Sequence, residues 1–235
     1  NNARAIRAFR DMDIAEREVA YCEKHGIKVL CFDDPLYPAR LSACVDSPPL
    51  FFFKGQADLQ AARTLSVIGT RSHTDYGRRV CEEFIAGLTD YGVTVFSGLA
   101  YGIDVLAHKA CVQHQLPTVG VLAHGLASVY PPAHRGIAAE MVSRGGGLLS
   151  EYFSTEKPEK GNFPARNRIV AGLSDATLVI ETDLRGGSMI TAEIAFSYNR
   201  DVFCVPGRVG DAKSAGCNFL IKQMKAQLVN SAEDI

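Results

Sequence analysis

From Leu65 onward, short and almost wholly apolar runs alternate with longer amphipathic stretches, and this alternation limits the chain to a narrow set of folds. The apolar runs are Leu65–Gly69, Val93–Phe96, Thr118–Leu122, Leu148–Ser150, Thr177–Glu181 and Val202–Pro206. Each is too short for a helix and carries no polar alternation, the pattern of a strand covered on both faces. Helical periodicity falls between them, at about 75–91, 102–115, 134–144, 163–173 and 188–199. Strand-then-helix repetition predicts an α/β fold with a mainly parallel sheet and helices on both faces. Ligands of such folds sit at the carboxyl ends of the strands, near the point where strand order reverses.

The first 60 residues read differently. A helix is expected over 3–25, Arg- and Glu-rich, solvated, and closed by Gly26. Short strands follow at Ile27–Phe32 and Leu50–Phe53, separated by a Pro-rich connector. We read 1–60 as an N-terminal extension packed on a core domain of 61–235. The chain opens on Asn1 rather than Met, which points to a longer parent chain.

Apolar residues make up 47% of the 235, so the chain has the composition of a globular protein. No run approaches membrane-spanning length, and no membrane partner is expected. The seven cysteines are scattered without a C-x-x-C pair, as expected of reduced core thiols in a cytoplasmic protein. The six histidines form no metal-binding spacing, so neither a metal nor another cofactor is expected. The net charge of −1 means that any nucleic-acid binding must come from a local basic patch.

Four strand-end segments concentrate the polar chemistry. Gly69-Thr70-Arg71-Ser72 pairs a close-approach glycine with a forked cation suited to phosphate. Ser97-Gly98-Leu99-Ala100-Tyr101-Gly102-Ile103-Asp104 offers backbone donors, with Asp104 placed to cap a helix and His108 one turn on. Gly186-Gly187-Ser188-Met189-Ile190-Thr191 opens a helix with a flexible, anion-cradling turn. Residues 161–174 crowd Asn162, Phe163, Arg166, Asn167 and Arg168 around one helix start. With that helix running from Ala165, Ala165, Ile169 and Leu173 form the buried stripe, Arg166 lies beside it, and Arg168 points away. Phe163 reads either as a core staple or as a base-stacking ring. Neither a G-x-G-x-x-G nor a Walker A fingerprint is present.

Taken together these words resemble the DNA processing protein A (DprA, or Smf) family. They run in family order from Gly69-Thr70-Arg71 and Tyr76-Gly77, through Ser97-Gly98-Leu99-Ala100, Gly102-Ile103-Asp104 and Tyr130-Pro131. They continue with Ser150-Glu151-Tyr152, Phe163 to Ser174, Gly187-Ser188, Ile190-Thr191-Ala192 and Val205-Pro206-Gly207. The resemblance implies an extended Rossmann-like fold that binds single-stranded DNA without catalysing a reaction. It also implies a homodimer, and transfer of DNA to the RecA recombinase during natural transformation. Carried over by position, Gly69, Arg71, Ser97, Gly98, Asn162, Phe163, Arg166, Asn167, Arg168, Gly187, Ser188 and Thr191 would line the DNA site. Arg71 and one of Arg166 and Arg168 would hold phosphates, Phe163 or Asn162 would meet a base, and Lys157 and Lys160 would extend the basic path. Family members commonly carry flanking helical and winged-helix-like domains that are not complete here. Two positions depart from the pattern: Tyr101 stands where a basic residue is frequent, and Gly186 where Ser is frequent. A competing reading is a nucleoside monophosphate N-glycoside hydrolase of the lysine-decarboxylase-like (LOG) group. It rests on Gly186-Gly187, Thr191 and Glu193, with Glu193 as acid–base.

Overall fold

A computed structural model describes residues 12–235. Helix α1 (Asp13–His25) ends at Gly26 in the left-handed conformation that a terminal glycine adopts readily. The part of the expected helix before Met12 lies outside the described residues. Two buried side chains, Glu18 and Cys22, break the expectation of a solvated helix. The Glu18 carboxylate accepts 2.8 Å hydrogen bonds from both the backbone N–H and the hydroxyl of Ser154. One Glu among the several on this helix gives no periodic signal of that role.

Among the described residues nine strands form one sheet: β1 (Lys28–Cys31), β2 (Leu50–Gly55), β3 (Arg63–Ile68), β4 (Val93–Ser97), β5 (Thr118–Val121), β6 (Gly147–Ser150), β7 (Ala176–Val179), β8 (Asp201–Cys204) and β9 (Gln227–Leu228). Their order is β1-β2-β6-β5-β4-β3-β7-β8-β9. The block from β6 to β9 is parallel throughout, whereas β1 and β2 add antiparallel at one edge. The segment read as a packed extension thus supplies two strands of the main sheet. Phe51 and Phe53 are buried in the same core cluster as Val119 and Leu149.

The helices are α2 (Ala39–Ser42), α3 (Asp75–Gly87), α4 (Ile103–Gln113), α5 (Arg135–Ser143), α6 (Asn162–Gly172), α7 (Gly187–Ser197) and α8 (Ala215–Lys222). Strand alternation assigns them to faces. Val67 and Val95 pack with Phe84, Ile85, Ala107 and Cys111 of α3 and α4. Their neighbours Ile68 and Phe96 point the other way, onto Ile169 and Val170 of α6 and Ala192 and Ala195 of α7. Ser66 shares that second face, and its hydroxyl donates 2.7 Å to the Val170 carbonyl. Six of the seven cysteines are buried free thiols, and Cys31 on the edge strand is exposed. Among the described residues no helix is long and apolar enough to cross a membrane.

The chain winds outward from β3 through β4 and β5 to β6, then returns to place β7 on the other side of β3. This reversal is the switch point. The turns after β3, β4, β5 and β7 all open there.

Glu181, just past β7, joins the two halves at this point. Its carboxylate accepts from the Thr74 N–H at 2.9 Å and from the Thr74 hydroxyl, while Thr74 caps α3 by accepting from the Gly77 N–H at 3.1 Å. A Cβ at Gly77 would overlap the Glu181 carboxylate. Gly77→Ala is therefore expected to displace that carboxylate and cost about 1–3 kcal/mol of stability. Urea unfolding measures it, and a midpoint equal to that of the unsubstituted protein would contradict the role given to Gly77.

Candidate nucleic-acid interface

The switch-point turns enclose a crevice of about 830 Å³. Of the twelve residues singled out from the sequence, nine line it: Gly69, Arg71, Gly98, Phe163, Arg166, Asn167, Gly187, Ser188 and Thr191. Ser97, Asn162 and Arg168 do not. Ser97 is fully buried as the last residue of β4, and its hydroxyl donates 2.6 Å to the Val67 carbonyl of the adjacent strand. Asn162 opens α6 at the edge of the crevice, and the helix start has no side-chain cap. Arg168 points away from the crevice and donates 2.5 Å to Glu151, tying α6 to the end of β6.

Arg166 is the floor of the site. Its guanidinium is buried, and Nη1 donates to the Gly98 carbonyl at 3.0 Å and to the Val121 carbonyl. One side chain thus joins the turns after β4 and β5. Asp104, in the first turn of α4, is also buried and accepts from the Ala100 N–H at 3.3 Å. Both charged groups converge beneath Gly98. A Cβ there would collide with Asp104 Oδ2 and stand 2.7 Å from Arg166 Nη2, so only glycine leaves room. Burial raises the Asp104 pKa, and the nearby guanidinium opposes that rise. Burial lowers the Arg166 pKa, and Asp104 opposes that in turn.

The expected helical phase needs one correction here. The buried face of α6 carries Arg166, Ile169, Val170 and Leu173, whereas Ala165 is exposed. That face is centred about a quarter-turn from Ala165 at 100° per residue, so Arg166 sits within it, not beside it.

The rim differs in character. Arg71 is exposed, and its guanidinium lies 5.6 Å from the Phe163 ring centroid. Phe163 also approaches Tyr130, with centroids 6.0 Å apart. Opposite, α7 begins at Gly187 without a side-chain cap, leaving N-terminal backbone donors for an anion. Asn167 Nδ2 reaches the Gly187 carbonyl at 3.5 Å, and the Ser188 hydroxyl donates 2.7 Å to Thr182 Oγ1. Lys160 and Lys213 complete the lining, whereas Lys157 is exposed outside it. Arg71, Lys160, Arg166 and Lys213 face only two carboxylates, Asp104 and Asp183. The crevice is thus locally basic on a chain of net charge −1.

Tyr101, Tyr130 and Lys213 line the crevice without having been assigned to it from the sequence. For Tyr130 the signal was present in the Tyr130-Pro131 word. Lys213 lies in the loop after β8, whose path no periodicity predicts. His108, one turn on from Asp104 in α4 as expected, pairs through Nδ1 with the Thr118 hydroxyl at 2.7 Å, and burial pushes its pKa down to about 3. Glu193 lies outside the crevice, held at 2.7 and 2.9 Å by Lys225. Among the described residues no cluster of His, Cys, Asp and Glu has metal-binding geometry.

A doubly wound, mainly parallel sheet with a basic, aromatic-rimmed crevice at its switch point defines a Rossmann-like α/β protein with a candidate ligand site at the strand ends. The model of the DNA recombination-mediator protein A family matches residues 28–235, and the chain belongs to that family. It is 40% identical to Protein Smf of Escherichia coli over 220 residues, covering 94% of this chain and 59% of that protein. It is 42% identical to DNA processing protein DprA of Streptococcus pneumoniae, covering 86% and 71%. The X-ray structure of that pneumococcal protein superposes with a TM-score of 0.83 at 39% identity, covering 92% of this chain and 76% of the other. The Helicobacter pylori DNA processing protein A, solved for its single-stranded DNA binding mode, superposes at 0.79 with 28% identity, covering 88% and 93%. The chain spans little more than half the length of the Escherichia coli and Synechocystis Smf proteins it matches.

Two expectations follow. Arg166→Ala removes a buried cation that two strand-end carbonyls depend on, and should cost about 2–4 kcal/mol of stability. Arg71→Ala, at an exposed site, should change stability by less than about 0.5 kcal/mol. Equal urea midpoints for the two variants would refute this contrast. The second concerns pH. Because the folded-state pKa of Asp104 is raised, the unfolded chain ionises first as pH climbs through the ordinary carboxylate range, and stability is lost until the folded-state pKa is passed. Asp104→Asn should flatten that loss, seen as a smaller drop in urea midpoint between about pH 4 and about pH 7.5 than in the unsubstituted protein.

Proposed function

We propose that this protein binds single-stranded DNA in the switch-point crevice and, as a homodimer, loads the RecA recombinase on incoming DNA during natural transformation. The observation that carries the reading is the crevice itself. It combines a local excess of cations, an open helix N-terminus and exposed aromatic rings, the combination that a single strand of phosphates and unpaired bases requires. The single-stranded DNA binding of the Helicobacter pylori relative supports the ligand, and the family's description as a recombination mediator supports the RecA step.

An apolar groove lined by Leu184, Ile190, Ile194 and Phe219 supports the dimer. On α7 beside it, Ile190 and Phe196 are exposed, whereas Met189 is buried and Tyr198, at the end of the helix, donates its hydroxyl to Asp46. The reading is not that of an enzyme. Glu193, the acid–base group that a glycoside hydrolase would require, is paired with Lys225 away from the crevice.

Titration of an oligothymidylate at a series of salt concentrations tests the reading, with light scattering on the same samples for mass. Affinity should fall steeply with salt. Arg71→Ala should weaken binding at fixed salt and reduce the slope of log K against log salt by about 0.7, the share of one single-strand phosphate. A salt-independent affinity, or a slope unchanged in Arg71→Ala, would overturn the placement of DNA in this crevice.

A further inference from the structure

The family resemblance sets Phe163 against a base, yet the Arg71 guanidinium already lies over that ring and Tyr130 is tilted against it. Tyr101 is placed otherwise. It lines the crevice and is 51% exposed. Among the described residues no cation lies over its ring. Among the described residues its one aromatic neighbour is His134, in a T-shaped contact with centroids 4.9 Å apart and planes at 71°. His134 is itself immobile: it is buried, and its Nδ1–H donates 2.9 Å to the Leu99 carbonyl. The Tyr101 ring is therefore held in orientation while about half of the residue stays exposed at the crevice.

The backbone supports this placement. Leu99 is buried at φ 72°, a left-handed conformation that a leucine adopts only when the surrounding fold imposes it. That turn carries residues 100 and 101 out of the core and into the crevice mouth. The Ile103 N–H then donates 3.2 Å to the Thr70 carbonyl, locking the turn after β4 against the one that bears Arg71. An exposed guanidinium and an oriented phenol ring thus stand on two interlocked turns.

We propose that Tyr101 is a base-stacking residue, and that it works with Arg71 to hold one nucleotide, ring against base and guanidinium against phosphate. This rests on the single-strand reading above and adds to it a residue and a chemical role. A ring at this position supplies affinity that salt does not screen, because stacking displaces no counterions.

The protein contains no Trp and eight Tyr, so its ultraviolet emission comes from tyrosine alone. A base stacked on Tyr101 should quench part of that emission. The test compares the unsubstituted protein with Tyr101→Phe, Tyr101→Leu and Arg71→Ala. The ligands are an oligothymidylate of about 12 nucleotides and an abasic strand of equal length. Thermal midpoints establish that each variant folds. Tyr101→Phe should bind within about twofold of the unsubstituted protein but lose part of the quench. Tyr101→Leu keeps apolar bulk without an aromatic face. It should bind oligothymidylate about 5- to 150-fold more weakly, the range for one stacked base, with an unchanged salt slope. It should also bind the abasic strand as the unsubstituted protein does. A quench undiminished in Tyr101→Phe, or an affinity for oligothymidylate undiminished in Tyr101→Leu, overturns the proposal while leaving the single-strand reading intact. Absence of binding by the unsubstituted protein overturns both.

Discussion

A guanidinium stripped of water needs acceptors arranged around it, and the Arg166 side chain finds them in the carbonyls of Gly98 and Val121. The cost of burying that charge is offset by two charge-assisted hydrogen bonds and by the nearby Asp104 carboxylate. The arrangement demands that the residue above it have no side chain, and Gly98 meets that demand. The result is a crevice floor in which the ends of two neighbouring strands are joined by a residue from a helix on one face, with a carboxylate supplied from the other. Of the rim groups, Tyr101 stands on the turn after β4 that this floor holds, and Phe163 lies in the first turn of the helix that supplies Arg166.

Much of the fold was legible from the sequence because its signals are local. A parallel strand buried on both faces announces itself as a short apolar run, and each of the six such runs became a strand, shifted by a few residues at its ends. The late elements were not visible for the same reason. β9 has two residues and α8 has eight, too few for either periodicity to register. Nor does composition reveal that β1 and β2 join the sheet, since register across β2 and β6 is a long-range property.

The site was legible in its membership more than in its roles. Glycines and hydroxyls at strand ends mark the crevice, and nine of twelve marked residues do line it. Which way a strand-end side chain points depends on phase. Ser97 turns inward to Val67 while the next residue, Gly98, faces the crevice. Arg166 and Arg168 differ for the same reason: two positions on a helix are 200° apart, so one guanidinium enters the core and the other meets Glu151. A sequence lists both arginines as cations, but only the packed helix distinguishes the guanidinium that joins two strand ends from the one that pairs, half-buried, with Glu151.

The short segment that carries Lys160 is pinned along its length. Ser154 is held by Glu18 from α1, the Gly125 N–H reaches the Glu156 carbonyl at 3.0 Å, and the Asn162 N–H closes onto Glu159 at 3.1 Å where α6 begins. A strap fastened at both ends and in the middle has already surrendered most of its conformational entropy during folding. Little remains to be lost when its lysine meets an anion, so the Coulombic attraction at that edge of the crevice goes into affinity instead of into ordering the strap.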